Sequence, residues 1–480
     1  MALTEPNVAA IFDLDRTLLA GASGPIISSA LKSTGLMSDR NIPGEDLLFK
    51  VFNVVGENRP SMMLTKQAVR FAKGWARETA QAAGKIAAEE LAANVQPYAR
   101  VLIEQHHEAG RLVVIASTTP YDMVKPLADL LGIDHVVATR YGVKDGFYDG
   151  TINGPFVWGR GKVDAVKYWC KQHNVSLRDS YAYSDSFYDA ALLGEVDHPV
   201  VVNPDPRMRV LAVARRWPTM YFDVPPGVPK LVGVEPQQVI MPLARPELVL
   251  YAKLDIQDVE NIPLEGPAII CGNHRSYFDP LALGYAFAKR GRPVRFLGKK
   301  EVFDAPVVGD IASAMGGIRV ERGSGSDEPL KEAAAALAAG ELVAIMPQGT
   351  IPRGKAFFDP ELKGRWGAAK LAAMTGAPIV PVGLWGTEKV WPRNAKVPNF
   401  LNIMDPPDVR IRVGKPIELE HEDMDVDTKR MMQAIQDLLP PEAREWHEPT
   451  SDELALTLPS SYKGDPGAYD REEPRRPGSD

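Results

Sequence analysis

The sequence predicts two successive α/β domains. Three observations lead there. Short apolar runs alternate with helix-forming stretches. Several runs end on acidic, hydroxyl or glycine-bearing loops. A proline- and valine-rich stretch, Pro218 to about Pro246, divides the pattern in two. Strands joined through helices form parallel sheets, and such sheets bind ligands beyond the strand C-termini. Polar residues at those ends are therefore the first places to look for chemistry.

In chain order, Val8 to Phe12 (VAAIF) is a buried strand ending at Asp13. From about Pro25 to Ala99 the chain is rich in Ala, Leu, Lys and Glu, and is read as helical. Strands follow at Leu112 to Ala116, ending on Ser117, at Tyr181 to Tyr183, ending near Asp185, and at His198 to Asn203. Beyond the divide, strands are expected at Pro267 to Cys271, Val294 to Leu297, Leu342 to Met346 and Ile379 to Val382. Helices are expected at Pro280 to Lys289, Lys331 to Ala339 and Gly367 to Thr375. From Pro440 onward the charged, proline-containing sequence reads as a disordered tail. The resulting divisions are 1–217 for the first domain, 218–246 for a linker, 247–440 for the second domain and 441–480 for the tail.

The chain has 480 residues, 45% hydrophobic and 24% charged, which suits two or three globular domains. Its net charge of −7 gives no pull toward nucleic acid. The two cysteines, Cys170 and Cys271, are isolated and read as reduced thiols in a cytosolic setting. No basic stretch followed by a long apolar run opens the chain, and no apolar run reaches the roughly 18–20 residues that span a bilayer. Work on lipids would be done from the membrane surface.

Asp13-Leu14-Asp15-Arg16-Thr17 places two carboxylates at a strand end. They could share a divalent cation, one attacking phosphorus while the other moves protons. A solvated turn with Thr17 capping a helix is the plainer alternative. Ser117, Lys162 and the pair Asp185 and Asp189, one helical turn apart, strengthen the chemical reading. The segments IFDLDRTL, IASTTP, LGIDHVVATRY, the Gly-Lys pair, YSDSFYDAALL and HPVVVNPDPRMR resemble the HAD superfamily, in the branch of phosphoserine phosphatase. That resemblance implies a Rossmann-like fold with a helical cap over about residues 20–94. It also implies Asp13 as nucleophile and Asp15 as general acid/base. Ser117 and Lys162 would hold the phosphoryl group. Mg²⁺ would sit at Asp13, Asp15 and Asp185, with Asp189 supporting it or orienting Lys162. Ser23, Arg59 and Lys66 are either cap contacts to substrate or surface residues.

The second cluster is Asn273-His274-Arg275-Ser276-Tyr277-Phe278-Asp279. An imidazole can take the proton of an acceptor hydroxyl near neutral pH, and a carboxylate can fix its tautomer. Asp279 precedes Pro280, so helix capping is a second role open to it. Further on come GIRVER with Arg319 and Arg322, MPQGT with Gln348, Gly349 and Thr350, and PIVPVG. This order is similar to the glycerolipid acyltransferase family, including 1-acylglycerol-3-phosphate acyltransferases. The resemblance implies His274 and Asp279 as catalytic pair. Arg319, Arg322 and the Gln348–Thr350 loop would bind the acceptor phosphate. Acyl-CoA or acyl-carrier-protein would be the donor and a lysophospholipid the acceptor. Gln348 and Ile351 depart from the family's Pro-Glu-Gly-Thr-Arg. The departure puts the acceptor in question more than the reaction, and leaves open a catalytically silent lipid-binding domain beside an active phosphatase. Lys289, Arg290, Arg292, Arg295, Lys299 and Lys300 could form a solvated surface, meet anionic headgroups at the inner face of the cell membrane, or bind coenzyme A phosphates.

Overall fold

A computed structural model describes residues 7–37, 59–230, 233–321 and 328–464. The chain divides into two compact units, residues 1–226 and 227–480.

The first unit is built on a six-stranded parallel sheet. Its strands are β1 (Ala9–Phe12), β2 (Leu112–Pro120), β3 (His135–Thr139), β6 (Tyr181–Ser184), β7 (His198–Val202) and β8 (Thr219–Met220), in the order β3-β2-β1-β6-β7-β8. β4 (Tyr141–Lys144) and β5 (Phe147–Ile152) form a separate antiparallel pair. Leaving that pair aside, this is a doubly wound order whose direction reverses at β1 and β6, where such sheets open their ligand crevice. β1 is buried throughout because both faces are covered. Ala9 and Ile11 join one core with Val114, Val166 and Val201, while Phe12 on the other face stacks on Tyr183 at 4.4 Å. Helices Gly24–Ser33, Arg59–Phe71 and Arg77–Ala93 fall in the expected cap region.

The second unit holds a seven-stranded sheet. β9 (Lys253–Gln257), β10 (Ala268–Gly272), β11 (Val294–Lys299), β12 (Ile318–Val320), β13 (Leu342–Ile345), β14 (Ile379–Trp385) and β15 (Asp408–Val413) lie in the order β12-β11-β13-β10-β14-β15-β9. The sheet is mixed, because β15 runs antiparallel to β14. Ala268 and Ile270 face one core and Ile269 and Cys271 the other, the period-two alternation of a central strand. Cys271 is fully buried there, and Cys170 is buried in the core of the first unit.

Two expected divisions need correction. The proline-rich stretch is not a free linker. β8 extends the first sheet, and Phe222 and Val224 are buried. Helix Pro236–Ile240 belongs to the second unit, where Gln237 Nε2 donates to the Val294 carbonyl at 2.9 Å. The proline at the first helical position starts that helix because its missing N–H is not needed there. The disordered tail is also corrected between 441 and 464. Helix Ser451–Leu456 begins with a reciprocal Thr450–Glu453 capping box, Leu454 and Leu458 are buried, and Thr457 Oγ1 accepts from the Gly354 N–H at 2.9 Å. Among the described residues no helix is long and apolar enough to cross a membrane.

Candidate active sites

β1 and β6 end side by side, so Asp13 and Asp185 leave the same edge of the first sheet. After Asp13 the chain makes a tight loop closed by the Leu19 N–H on the Leu14 carbonyl at 3.0 Å. Inside it Arg16 takes a left-handed backbone conformation, φ 60°, a cost of order 1–3 kcal/mol for a residue with a Cβ. Lys162 is almost fully buried and joins two carboxylates, Asp13 Oδ1 at 2.7 Å and Asp189 Oδ2 at 2.6 Å. Ser184 Oγ adds a hydrogen bond to Asp189 Oδ2 at 2.7 Å, so the lysine is held by a fixed anion beside Asp13. β2 runs on to Pro120, so Ser117 lies within the strand rather than at its end, just before a register shift; it is buried, and its Oγ accepts from the Thr119 N–H at 3.1 Å.

Asp15 accepts from the Ser23 N–H at 2.6 Å. Burial raises its carboxyl pKa above the ordinary value, against the lowering effects of the Ser23 hydrogen bonds and the Lys162 charge. Ser23 is thus not a surface residue. It is buried, and its hydroxyl meets Thr119 Oγ1 at 3.3 Å. Lys66 is exposed, with its ammonium 6.0 Å from the Phe156 ring, and the Arg59 side chain lies outside the described residues. Thr17 and Arg16, part of the motif but given no role by its spacing, both meet Asp185. Thr17 Oγ1 accepts from the Asp185 N–H at 3.1 Å and lies 3.5 Å from its Oδ1, and Arg16 Nε stands 3.4 Å from its Oδ2.

The expected Mg²⁺ ligands do not fit a metal ion as they stand. Asp13, Asp15 and Asp185 are turned to Lys162, Ser23 and Arg16 respectively. Among the described residues, no three His, Cys, Asp or Glu side chains are grouped so as to hold a metal.

In the second sheet β10 and β13 are neighbours, and they deliver His274 and Gln348 to one edge. His274 Nδ1 is 2.8 Å from Asp279 Oδ2. The same oxygen accepts from the Arg275 N–H at 2.6 Å and the Ser276 N–H at 2.8 Å. Asp279 is fully buried and is the first residue of helix Asp279–Arg290. Its side chain turns back to the preceding loop, which corrects the capping alternative. A carboxylate there makes Nδ1 the protonated nitrogen and leaves Nε2 as a base.

Gln348 Oε1 accepts from the His274 backbone N–H at 2.6 Å, so this buried residue positions the loop. Gly349 follows at φ 70°, in a turn closed by its N–H on the Met346 carbonyl at 2.8 Å. Thr350 is half-buried, its hydroxyl 3.5 Å from the Ile351 carbonyl. Asn273 exchanges two hydrogen bonds with Leu384 of β14, at 2.9 and 2.7 Å. Arg275 is clamped by Glu388 through two 3.1 Å bonds and lies over the Phe357 and Trp385 rings. Glu388 lies 113 positions from Arg275, with no local signal to announce it.

His274 and Gln348 open on a cleft lined also by Phe357, Asp359, Glu361, Leu362 and Lys363. None of these last five was foreseen. Arg319, expected here, is instead exposed on the edge strand β12 and paired with Asp304 at 2.7 Å. Arg322 lies outside the described residues. In the basic cluster the surface reading is corrected for Arg292 and Arg295, which are buried, while Lys289 and Lys300 remain at the surface. Lys289 and Arg290 donate to the carbonyls of Ile256 and Ile262, Arg292 to those of Pro263, Gly266 and Gly340, and Lys300 to Glu321. Arg295 is buried between Glu235 and Glu341.

Comparison with known proteins agrees with this division. The model for haloacid dehalogenase-like hydrolases matches residues 10–194, and the acyltransferase model matches residues 253–385. The first part is similar to the "Inhibition of morphological differentiation protein" of Streptomyces azureus, 36% identical and covering 46% of this chain and 80% of that protein. It is also similar to a phosphoserine phosphatase of Mycobacterium tuberculosis, 29% identical, covering 45% of this chain and 72% of the other. The structure of the 1-acyl-sn-glycerophosphate acyltransferase PlsC from Thermotoga maritima is 21% identical, with TM-score 0.30, covering 42% of this chain and 76% of that one. Through its first domain the chain belongs to the haloacid dehalogenase-like hydrolases, and an acyltransferase domain follows in the same polypeptide.

Proposed function

We propose that the chain is a bifunctional enzyme of phospholipid metabolism. Its second domain moves an acyl group from acyl-CoA or acyl-carrier-protein to a lysophospholipid, with 1-acylglycerol 3-phosphate giving phosphatidate as the leading reaction. Its first domain hydrolyses a phosphomonoester. The observation that carries the transferase reading is the His274–Asp279 pair, 2.8 Å apart and opening on a cleft. In that reaction His274 Nε2 takes the acceptor hydroxyl's proton as its oxygen attacks the thioester carbonyl. The thiolate leaves and recovers the proton from the imidazolium, which Asp279 stabilises.

In the hydrolase, an Asp13 oxygen attacks phosphorus while Lys162 offsets the phosphoryl charge. Asp15, whose pKa burial raises, serves as the acid toward the leaving alcohol and then accepts a proton from the water that opens the aspartyl-phosphate. Hydrolases of this family typically use Mg²⁺. Its use here belongs to the proposal and would require the carboxylates to exchange their present partners.

The test measures acyl-thioester consumption with 1-acylglycerol 3-phosphate by wild type and His274→Ala. A fall of roughly 10²–10⁴-fold is expected; equal rates would remove the assignment. Asp13→Asn should abolish hydrolysis of an aryl phosphate while leaving acyl transfer intact. A second reading, an active hydrolase beside a silent lipid-binding domain, is favoured by Arg319 being engaged on Asp304 away from the expected phosphate contact. No thioester consumption with any lysolipid would select it.

A further inference from the structure

With the Lys289–Lys300 cluster largely engaged on backbone and carboxylates, another surface of the second domain stands out. The segment 397–404 exposes Val397, Phe400, Leu401, Ile403 and Met404, and Leu401 and Met404 are 91% and 93% exposed. Beside it the segment 241–250 exposes Leu243, Leu248 and Leu250. Tyr251, directly after the second segment, brings its ring 5.0 Å from Phe400 of the first. Large aliphatic tips in such number on one face mark a contact with something apolar.

Charge selects the kind of partner. From Lys389 to Met404 the chain carries three cations and no carboxylate, and the exposed Asp405 follows. Arg393 is buried on the Ile351 carbonyl, while Lys389 and Lys396 are exposed. Arg245 and Lys253 add exposed cations from the neighbouring segment, against Glu247. Apolar tips with four exposed cations nearby, against Glu247 and Asp405, match an anionic bilayer, whose headgroups meet lysines while its acyl region receives the tips. The face also reaches the catalytic loop, since Ser276 Oγ donates to the Trp391 carbonyl at 2.6 Å and Tyr277 lies against the Trp391 ring at 5.7 Å.

We propose that the 397–404 segment, with 241–250 beside it, seats the acyltransferase domain on an anionic lipid bilayer. The purpose of this docking, delivery of a lipid acceptor to His274, rests on the acyltransferase reading. The docking itself is tested apart from turnover.

The test is co-sedimentation of the full chain with phosphatidylcholine vesicles, with and without roughly one third phosphatidylglycerol. Wild type and His274→Ala should bind the anionic vesicles equally. Leu401→Asp/Met404→Asp should lose about tenfold or more, and Lys389→Glu/Lys396→Glu should lose the preference for anionic lipid. An unchanged far-ultraviolet circular dichroism spectrum and an unchanged urea midpoint for the second domain verify that each variant is folded. Wild type that stays in the supernatant, or a doubly acidified variant that sediments like wild type, overturns the proposal. So does a wild-type dimer that the Leu401→Asp/Met404→Asp variant splits, which would make the face a contact between copies. If His274→Ala binds vesicles and transfers acyl groups as wild type does, the catalytic reading fails while the docking stands.

Discussion

At the residue scale, each site depends on one group that fixes the backbone or charge of another. Asp279 Oδ2 gathers one imidazole and two backbone N–H groups, so Asp279→Asn should disturb both the tautomer and the loop, lowering acyl transfer by roughly 10³–10⁴-fold. Gln348 sets a finer test. Gln348→Glu keeps an oxygen for the His274 N–H and should retain most activity. Gln348→Leu leaves that N–H without its acceptor, at about 1–3 kcal/mol, and should lower transfer roughly 10- to 100-fold. Steady-state thioester assays on both variants distinguish the two outcomes. Asp15 gives a pH test. Its native pKa is raised by burial, so its contribution to stability is complete below the ordinary carboxyl pKa and is lost as pH rises through the raised value. The melting temperature of Asp15→Asn relative to wild type should therefore climb as pH rises through the raised value, while phosphate hydrolysis falls; a falling difference would contradict the raised pKa. The His274–Asp279 pair and the acids after β1 and β6 were legible because they lie close together in sequence or follow apolar runs. Glu388 was not, because contact over 113 positions leaves no local pattern.

At the element scale, the strands carrying the motifs could be read because they are apolar on both faces. β9 and β15 could not be recognised so easily, since LDIQ and DVRIRV interleave charge with apolar residues on the sheet's outer side. The proline-rich stretch misled for a related reason: composition suggested a connector, yet Glu235 and Gln237 reach into the second domain to Arg295. That guanidinium meets Glu235 at 2.8 Å, Glu341 at 2.5 Å and Gln237 at 3.1 Å, and its pKa is held above even the usual arginine value by the two glutamates, against its own burial. Arg295→Leu would strand those carboxylates and should cost about 3–5 kcal/mol, read as a lower urea midpoint for the second domain. Gly84 marks a close helix contact in the first domain. A Cβ there would lie 2.4 Å from the Asp122 carbonyl oxygen, so Gly84→Ala should destabilise by about 1–3 kcal/mol.

At the scale of the whole molecule, the chain is two units with separate cores, so urea should unfold it in two steps. Val114→Asp should shift the step that follows aryl-phosphate hydrolysis, and Ile270→Asp the step that follows acyl transfer. A single transition moved equally by both would show strong coupling. The two-domain division was legible because the apolar periodicity restarts after Pro246. The ordered stretch up to Gly464 was not, because its fixing contacts, Thr457 to Gly354 and Glu448 to Lys355, join distant parts of the chain. The placement of the cysteines has its own consequence. Cys170 is buried in the first domain, with its thiol pushed up to about 11, and Cys271 is buried in the central strand of the second, where burial pushes it up further. Alkylating agents attack thiolates, so a native chain should resist them at both sulfurs. Each half therefore carries its own chemical clock: time-resolved iodoacetamide labelling, read peptide by peptide, would report how often either half breathes open, without any introduced probe.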